Sequence, residues 1–283
     1  MPRKYPDFIF ERAGHWCFYR NNALQPIETA APTDAESPIS PLLCERQEIT
    51  SSQHSHVYRA ILNNRKLPLP VYFKGMDFKS PRDVIKQQFS RSRAIKAFEA
   101  ELLLQSLGFG TPTTLLTGWR QRMPCLKDSF FTLSAALIDY EDLYTIVAQI
   151  GKQSAHQKKN FIKQLSATIA RMHMENIGHG DLRAGNVMCK YSEEWQFSLI
   201  DNERTRKYRK LPERIRIKNL VQLNLLISPV INTSDRQRFF NNYSLLCYGQ
   251  INRNLLNKVI DKTRRRLKTM VEKQKIEASD LWL

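Results

Sequence analysis

The sequence predicts an α+β protein in two lobes: a smaller β-rich N-terminal lobe with one main helix, then a larger, mostly helical lobe. Three observations predict it. Short runs rich in Val, Ile, Phe, Tyr and Thr, separated by turn residues, recur up to Leu137, which is a strand pattern. One stretch among them, residues 89–107, instead spaces Ile95, Phe98, Leu102, Leu103 and Leu107 three to four apart, as one face of a helix does. Beyond residue 157 the helical spacing dominates, interrupted by one polar loop and a hairpin. The expected lobes are residues 1–137 and 138–283.

Taken in order, His15-Trp16-Cys17-Phe18-Tyr19 reads as a strand. Residues 29–41 are rich in Pro, Ser, Ala and Asp and read as a mobile loop. Glu48-Ile49-Thr50, Val57–Leu62 and Pro70–Lys74 form a meander with turns at 51–56 and 63–66. The helix over 89–107 stops at Gly108-Phe109-Gly110-Thr111-Pro112. Thr113–Trp119 and Ser129–Leu137 are two further strands, and Ile138–Leu143 is where a hinge would fall. Phe161, Leu165, Ile169, Met172 and Met174 mark a helix over 157–176 that ends in a turn at Asn176. Val187-Met188-Cys189 and Phe197–Ile200 read as a hairpin around Tyr191-Ser192-Glu193-Glu194. Asn219–Ile227 is a short helix, Thr233-Ser234-Asp235-Arg236 opens another, and Asn254–Gln274 is a basic amphipathic one. No internal repeat is present.

The chain has 44 Lys and Arg against 27 Asp and Glu, a net charge of +17. That balance speaks of partners, not of fold; nucleic acid, an anionic membrane surface and an anionic substrate are the candidates. Residues 204–218 concentrate eight of the cations against Glu213 alone, with Tyr208 the only aromatic. Single-strand binding needs interleaved stacking aromatics, so no specific nucleic acid is expected. The five cysteines show no CxxC spacing, which argues against a disulfide framework or a zinc site. No apolar leader or membrane-spanning run is seen. The expectation is a cytoplasmic monomer with at most peripheral membrane contact.

The chemistry gathers at His179-Gly180-Asp181-Leu182-Arg183-Ala184-Gly185-Asn186 and at Ile200-Asp201-Asn202-Glu203. A hairpin returns its ends to one another, so Asp201 should lie beside Asn186. Phosphoryl transfer needs a carboxylate to orient an acceptor hydroxyl, and oxygen ligands to hold Mg²⁺ against phosphates; this segment offers both. Upstream, the turn at 51–56 contains no glycine, so Ser55 and the histidines would supply polar contacts to phosphate. Lys74, at a strand end, reads locally as a solvated lysine and, from its place in the chain, as a phosphate ligand. Glu99, with Glu101 second, is the glutamate to hold it, and ordinary exposed glutamates remain the plain alternative. Main-chain groups near Ala135, Ala136 and Leu137 would meet an adenine edge.

The His-Gly-Asp-Leu-x-x-x-Asn loop with its later Ile-Asp resembles the catalytic and metal loops of the protein-kinase-like superfamily. Together with Ser55–Arg59, Lys74, Ser92-Arg93-Ala94, Leu107–Pro112 and Arg216-Ile217-Lys218-Asn219-Leu220, it resembles more closely the lipopolysaccharide kinase (Kdo/WaaP) family. The resemblance implies a two-lobed protein-kinase-like fold using ATP and Mg²⁺. It implies Asp181 as catalytic base, Asn186 and Asp201 as metal ligands, Lys74 on phosphate and Glu99 on Lys74. The acceptor would be a Kdo or heptose hydroxyl of the lipopolysaccharide core, at the cytoplasmic face of the inner membrane. Gly180 in place of the usual arginine, Asn202-Glu203 in place of Phe-Gly, and the absence of an Ala-Pro-Glu motif point away from protein substrates. An atypical protein kinase, an antibiotic- or choline-type phosphotransferase, and a non-catalytic basic pseudokinase remain the alternatives.

Overall fold

The protein, seen as a computed structural model, is described over residues 4–24, 39–49, 55–63, 68–77, 93–123, 126–273 and 276. It divides into two compact units. The first comprises Met1–Ser106 and Thr111–Ile138, the second Leu107–Gly110 and Asp139–Leu283.

The first unit is built on seven antiparallel strands: β1 (Phe8–Ala13), β2 (Trp16–Asn21), β3 (Leu43–Ile49), β4 (Ser55–Leu62), β5 (Leu69–Asp77), β6 (Thr114–Met123) and β7 (Leu126–Ala135). Their order in the sheet is β1-β2-β6-β7-β5-β4-β3. Alternate residues turn one face of this sheet inward. Trp16, Phe18, Val71, Phe73, Leu116, Phe131 and Leu133 meet there in a buried cluster. Ile39 belongs to the same cluster and is fully buried, which corrects the reading of residues 39–41 as mobile loop. An apolar side chain flanked by Pro and Ser gives no sequence sign of the pocket it fills. Residues 29–38 of that expected loop lie outside the described residues. Helix α1 (Arg93–Ser106) buries Ala94, Phe98, Ala100 and Leu104. Phe98 meets Tyr5 and Phe8 edge-on, at centroid distances of 4.9 and 4.6 Å. β1 is an addition to the sequence reading; its Glu11 and Arg12 obscure the alternation.

The second unit holds five helices among the described residues: α2 (Leu143–Ile150), α3 (Ala155–Met174), α4 (Glu213–Asn224), α5 (Thr233–Tyr248) and α6 (Arg253–Glu272). Asp142 caps α2, Ser154 and Gln157 form a capping box on α3, and Asn232 with Asp235 forms another on α5. Each box satisfies amide hydrogens that the first turn leaves without partners. α2 was not anticipated. α4 starts at Glu213, six residues before the expected short helix, and ends at Asn224. The last part of the basic run is therefore helical. α6 buries Leu255, Val259, Thr263 and Leu267, packs on α4 and receives the Asn224 amide on the Thr263 hydroxyl at 3.1 Å. Its apolar stripe thus serves the protein interior. No helix among the described residues is long and apolar enough to cross a membrane.

Short strands complete this unit. β10 (Val187–Tyr191) pairs with β11 (Trp195–Leu199) and β8 (Glu141–Asp142), and β9 (Ile177–Gly178) pairs with β12 (Arg206–Lys207). Gly110 bridges Ser198 in parallel and accepts the Leu199 N–H at 2.9 Å, so the Gly108–Gly110 turn belongs with this unit.

Candidate active site

The loop carrying Asp181 is shaped by the strand pair before it. Asn176, with φ 61°, ends α3 and turns the chain into β9; its side-chain oxygen accepts the Leu211 N–H at 2.9 Å. Gly180 has φ +76°, and a Cβ there would stand 2.7 Å from the Arg204 carbonyl oxygen. The kinase-type arginine is excluded at this position by backbone conformation and space. Lys218 of α4 donates to the Gly180 carbonyl, which fixes the turn from below.

Asp181 then emerges half-buried with both carboxylate oxygens held. Gln222 Nε2 donates to Oδ1 at 2.7 Å and Arg183 Nη2 to Oδ2 at 2.7 Å. Gln222 Oε1 accepts the Leu182 N–H at 3.1 Å, so one α4 side chain sets both loop and carboxylate. Arg183 is 63% exposed and is the displaceable partner; Gln222 is buried. Asn186 Nδ2 donates to the Asp181 carbonyl at 2.8 Å, which leaves its Oδ1 as the acceptor end of the amide. The hairpin register sets Val187 opposite Leu199, and Ile200 N–H donates to the Asn186 carbonyl at 3.1 Å. Asp201, next along, adopts the left-handed conformation (φ 58°, ψ 49°), which Asp tolerates better than most residues. The hairpin therefore brings Asp181, Asn186 and Asp201 into one loop cluster.

Beneath the loop runs a buried polar chain. His179 Nε2 donates to the Ile200 carbonyl at 3.1 Å, and its Nδ1 faces the Asp181 N–H at 3.4 Å. Asn219 Oδ1 accepts the His179 N–H and the His173 Nε2–H, both at 3.2 Å. His173 Nδ1 accepts from the Tyr243 hydroxyl at 2.8 Å, which in turn accepts from Arg216 Nη1 at 2.5 Å. Burial pushes His179 down to about 4 and His173, with Arg216 near, down to about 3, so both rings are neutral at pH 7. Helix α4 thus supplies Arg216, Lys218, Asn219 and Gln222 to the site. Arg216, Lys218 and Asn219 stand in the motif noted from sequence, but their contacts and the part of Gln222 were missed.

After Asp201, Asn202 is fully buried. Its Nδ2 donates to the Leu199 carbonyl at 2.9 Å, and the Thr205 hydroxyl lies 3.2 Å from its Oδ1. Asn202 takes a structural position. Glu203 sits 3.8 Å from Arg204 Nε. Among the described residues no cluster of three or more His, Cys, Asp or Glu side chains has metal-holding geometry. The Asn186 amide oxygen and the Asp201 carboxylate are a hard oxygen pair that fits Mg²⁺, an ion that takes one or two protein ligands and keeps waters and phosphate oxygens.

In the first unit, Lys74 lies on β5, flanked by Val57 on β4 and Thr132 on β7. Ser55 begins β4 opposite Met76; residues 51–54 of the expected phosphate turn lie outside the described residues. Glu99 accepts from Lys4 Nζ and the Tyr5 hydroxyl, each at 2.7 Å. Glu101, the second choice, is buried and accepts from the Thr114 hydroxyl, a packing position. The Ala136 N–H donates to the Pro70 carbonyl at 2.9 Å and the Ala135 N–H to Thr113. Of the main-chain groups near Ala135, Ala136 and Leu137 expected to meet an adenine edge, these two amides are thus engaged within the sheet region.

An α+β fold with a seven-stranded N-terminal sheet and a helical part carrying this loop cluster is that of a kinase. The lipopolysaccharide kinase (Kdo/WaaP) family matches residues 47–243, and the chain belongs to that family. Among solved structures, WaaP in complex with acyl carrier protein is similar in fold, with a TM-score of 0.59 and 16% identity over 82% of this chain and 93% of that one. No curated protein matches the chain.

Proposed function

We propose that the protein transfers the γ-phosphoryl group of ATP to a Kdo or heptose hydroxyl of the lipopolysaccharide inner core, at the cytoplasmic face of the inner membrane. The observation that carries this reading is the Asp181 carboxylate, held on one oxygen by buried Gln222 and on the other by exposed Arg183. A general base must be fixed yet reachable. The acceptor hydroxyl displaces Arg183 from Oδ2, and Asp181 takes its proton as the oxygen bonds to phosphorus and the β–γ bridging oxygen leaves with ADP. Asn186 and Asp201 hold Mg²⁺, which offsets the charge of the transferring phosphoryl group. Lys74 contacts phosphate, aided by Ser55, and Glu99 steadies Lys74; Ala136 offers its carbonyl to the adenine amino group. The basic surface led by exposed Arg204, Arg206 and Lys207 draws in an anionic sugar.

The test is transfer of labelled γ-phosphate from ATP to purified core lipid with Mg²⁺ present. Labelled lipid is the expected product, with the label lost in Asp181→Ala. A folded protein that labels no core acceptor would overturn the reading, and labelling of a protein instead would favour the atypical protein kinase.

A further inference from the structure

Four large apolar side chains stand out to solvent within seven residues. Leu245 and Leu246 are each 50% exposed, Tyr248 40% and Ile251 43%. They occupy the last turn of α5 and the turn into α6, where Gly249 (φ 69°) ends the helix. Two other helix ends meet them. Arg216, in the first turns of α4, lies 3.6 Å from Cys247 Sγ and over the Tyr248 ring at 5.5 Å. Glu213, the first residue of α4, pairs with Lys258 of α6 at 2.8 Å. The start of α4, the end of α5 and the start of α6 therefore form one tip of the second unit.

Charge around the tip is one-sided. Arg209, Lys210, Arg214 and Arg253 are exposed in the segments that converge there. Between residues 206–216 and 245–258 the single acidic side chain is Glu213, which Lys258 neutralises. An apolar centre ringed by cations suits the boundary of an anionic bilayer, with acyl chains beneath and phosphate headgroups around.

We propose that this tip docks the protein on an anionic lipid surface: Leu245, Leu246, Tyr248 and Ile251 enter the interface, and Arg209, Lys210, Arg214 and Arg253 meet the headgroups. The proposal rests on the reading that the acceptor is lipid-borne, and it deepens that reading. α4 links the tip to the candidate base. Arg214 is at the tip, while Gln222, on Asp181, lies eight residues further, about 12 Å along a helix.

The test uses the full chain with phosphatidylethanolamine vesicles containing about one third phosphatidylglycerol, an anionic surface. The variant Leu245→Ser/Leu246→Ser/Ile251→Ser should co-sediment at least about tenfold less than the parent, as expected when several apolar anchors are lost. Arg209→Glu/Lys210→Glu should weaken binding and flatten its salt dependence. Tyr191→Ser, which removes a 57%-exposed ring elsewhere on the same unit, should change nothing. Phosphorylation of vesicle-borne lipopolysaccharide should fall in the triple variant, while deacylated, water-soluble core is phosphorylated at the parent rate. Equal vesicle binding by parent and triple variant overturns the proposal. So does a parent that ignores vesicles but runs as a dimer which the triple variant abolishes, since the tip would then join two copies. If instead vesicle binding behaves as stated but no core acceptor is phosphorylated, the acceptor reading fails and the docking surface stands.

Discussion

The two units hold their candidate chemistry by different means. In the first, Lys74 rides on a sheet whose inner face is packed with Trp16, Phe18, Phe73 and Phe131. In the second, Gln222 donates to Asp181, Lys218 donates to the Gly180 carbonyl before it, and Asn219 accepts from two buried neutral histidines beneath the loop. Apolar packing is non-directional. A buried polar chain fixes angles, and every member left without a partner is costly. A lysine contacting phosphate as a point charge fits the first kind of support. A base that must face one hydroxyl fits the second.

The largest expected effect tests the carboxylate itself. Asp181→Asn should lower kcat by about 10²- to 10⁴-fold, the usual contribution of a positioned general base. The melting temperature should hardly move, because an amide oxygen can still accept from Gln222. A change in stability matching the lost rate would mean that Asp181 serves the loop and not the reaction.

Next is the apolar side of the comparison. Phe98 is fully buried against Tyr5, Phe8 and Tyr19. Phe98→Ala should destabilise the protein by about 3–5 kcal/mol, seen as a lower denaturation midpoint, while turnover by the folded fraction stays close to that of the parent. Asn219→Ala, on the polar side, should cost about 1–3 kcal/mol for each donor it strands, and it strands those of His179 and His173. Unlike Phe98→Ala, it should also lower kcat at saturating ATP. If both variants lost stability and neither lost kcat, the distinction between the two kinds of support would fail.

How much of this was legible follows the same division. Several strands were readable because alternation and turn residues are local signals: β4 and β5 in the first unit and the β10–β11 hairpin in the second lie within a few residues of where the pattern set them. Ile39 was not readable, since its neighbours are loop formers and its partners are distant in sequence. Asp181, Asn186 and Asp201 were legible as a motif. Their supports were not, because a polar residue on a helix normally reads as solvent-facing. One signal existed. Arg216, Asn219 and Gln222 recur at a spacing of three, and Lys218 stands four before Gln222, among Ile217, Leu220 and Val221. A polar stripe inside an apolar helix is the mark of a buried network. The basic run hid it further, since arginines that turn inward and arginines that stay in water are the same letters.

Acid should strain the polar unit selectively. An unfolded chain protonates its histidines below about pH 6.5, whereas buried His179 and His173 resist protonation down to about 4 and about 3. Over that window the unfolded state binds more protons, so stability is full above pH 6.5 and drains as pH falls towards 4. Thermal melts between pH 7 and 4 should show this, and replacing His173 by Gln should flatten the slope. An unchanged slope would place the acid sensitivity elsewhere.

The smallest effect sharpens the role of Glu99. Lys4 is 61% exposed where it meets Glu99 at 2.7 Å, and a pair this open contributes about 0–1 kcal/mol. Glu99 also accepts from the Tyr5 hydroxyl at 2.7 Å, so Lys4→Ala leaves the carboxylate anchored and should alter neither stability nor activity measurably. Glu99→Gln removes the charge but keeps an oxygen for Tyr5, so its stability should stay within about 1 kcal/mol of the parent. The two variants therefore separate two roles for one carboxylate. If Glu99 steadies Lys74 on phosphate, Glu99→Gln raises KM for ATP or lowers kcat while Lys4→Ala does neither. If Glu99 only ties the N-terminal segment to α1, both variants keep the parent kinetics, and Glu99 takes no part in holding Lys74.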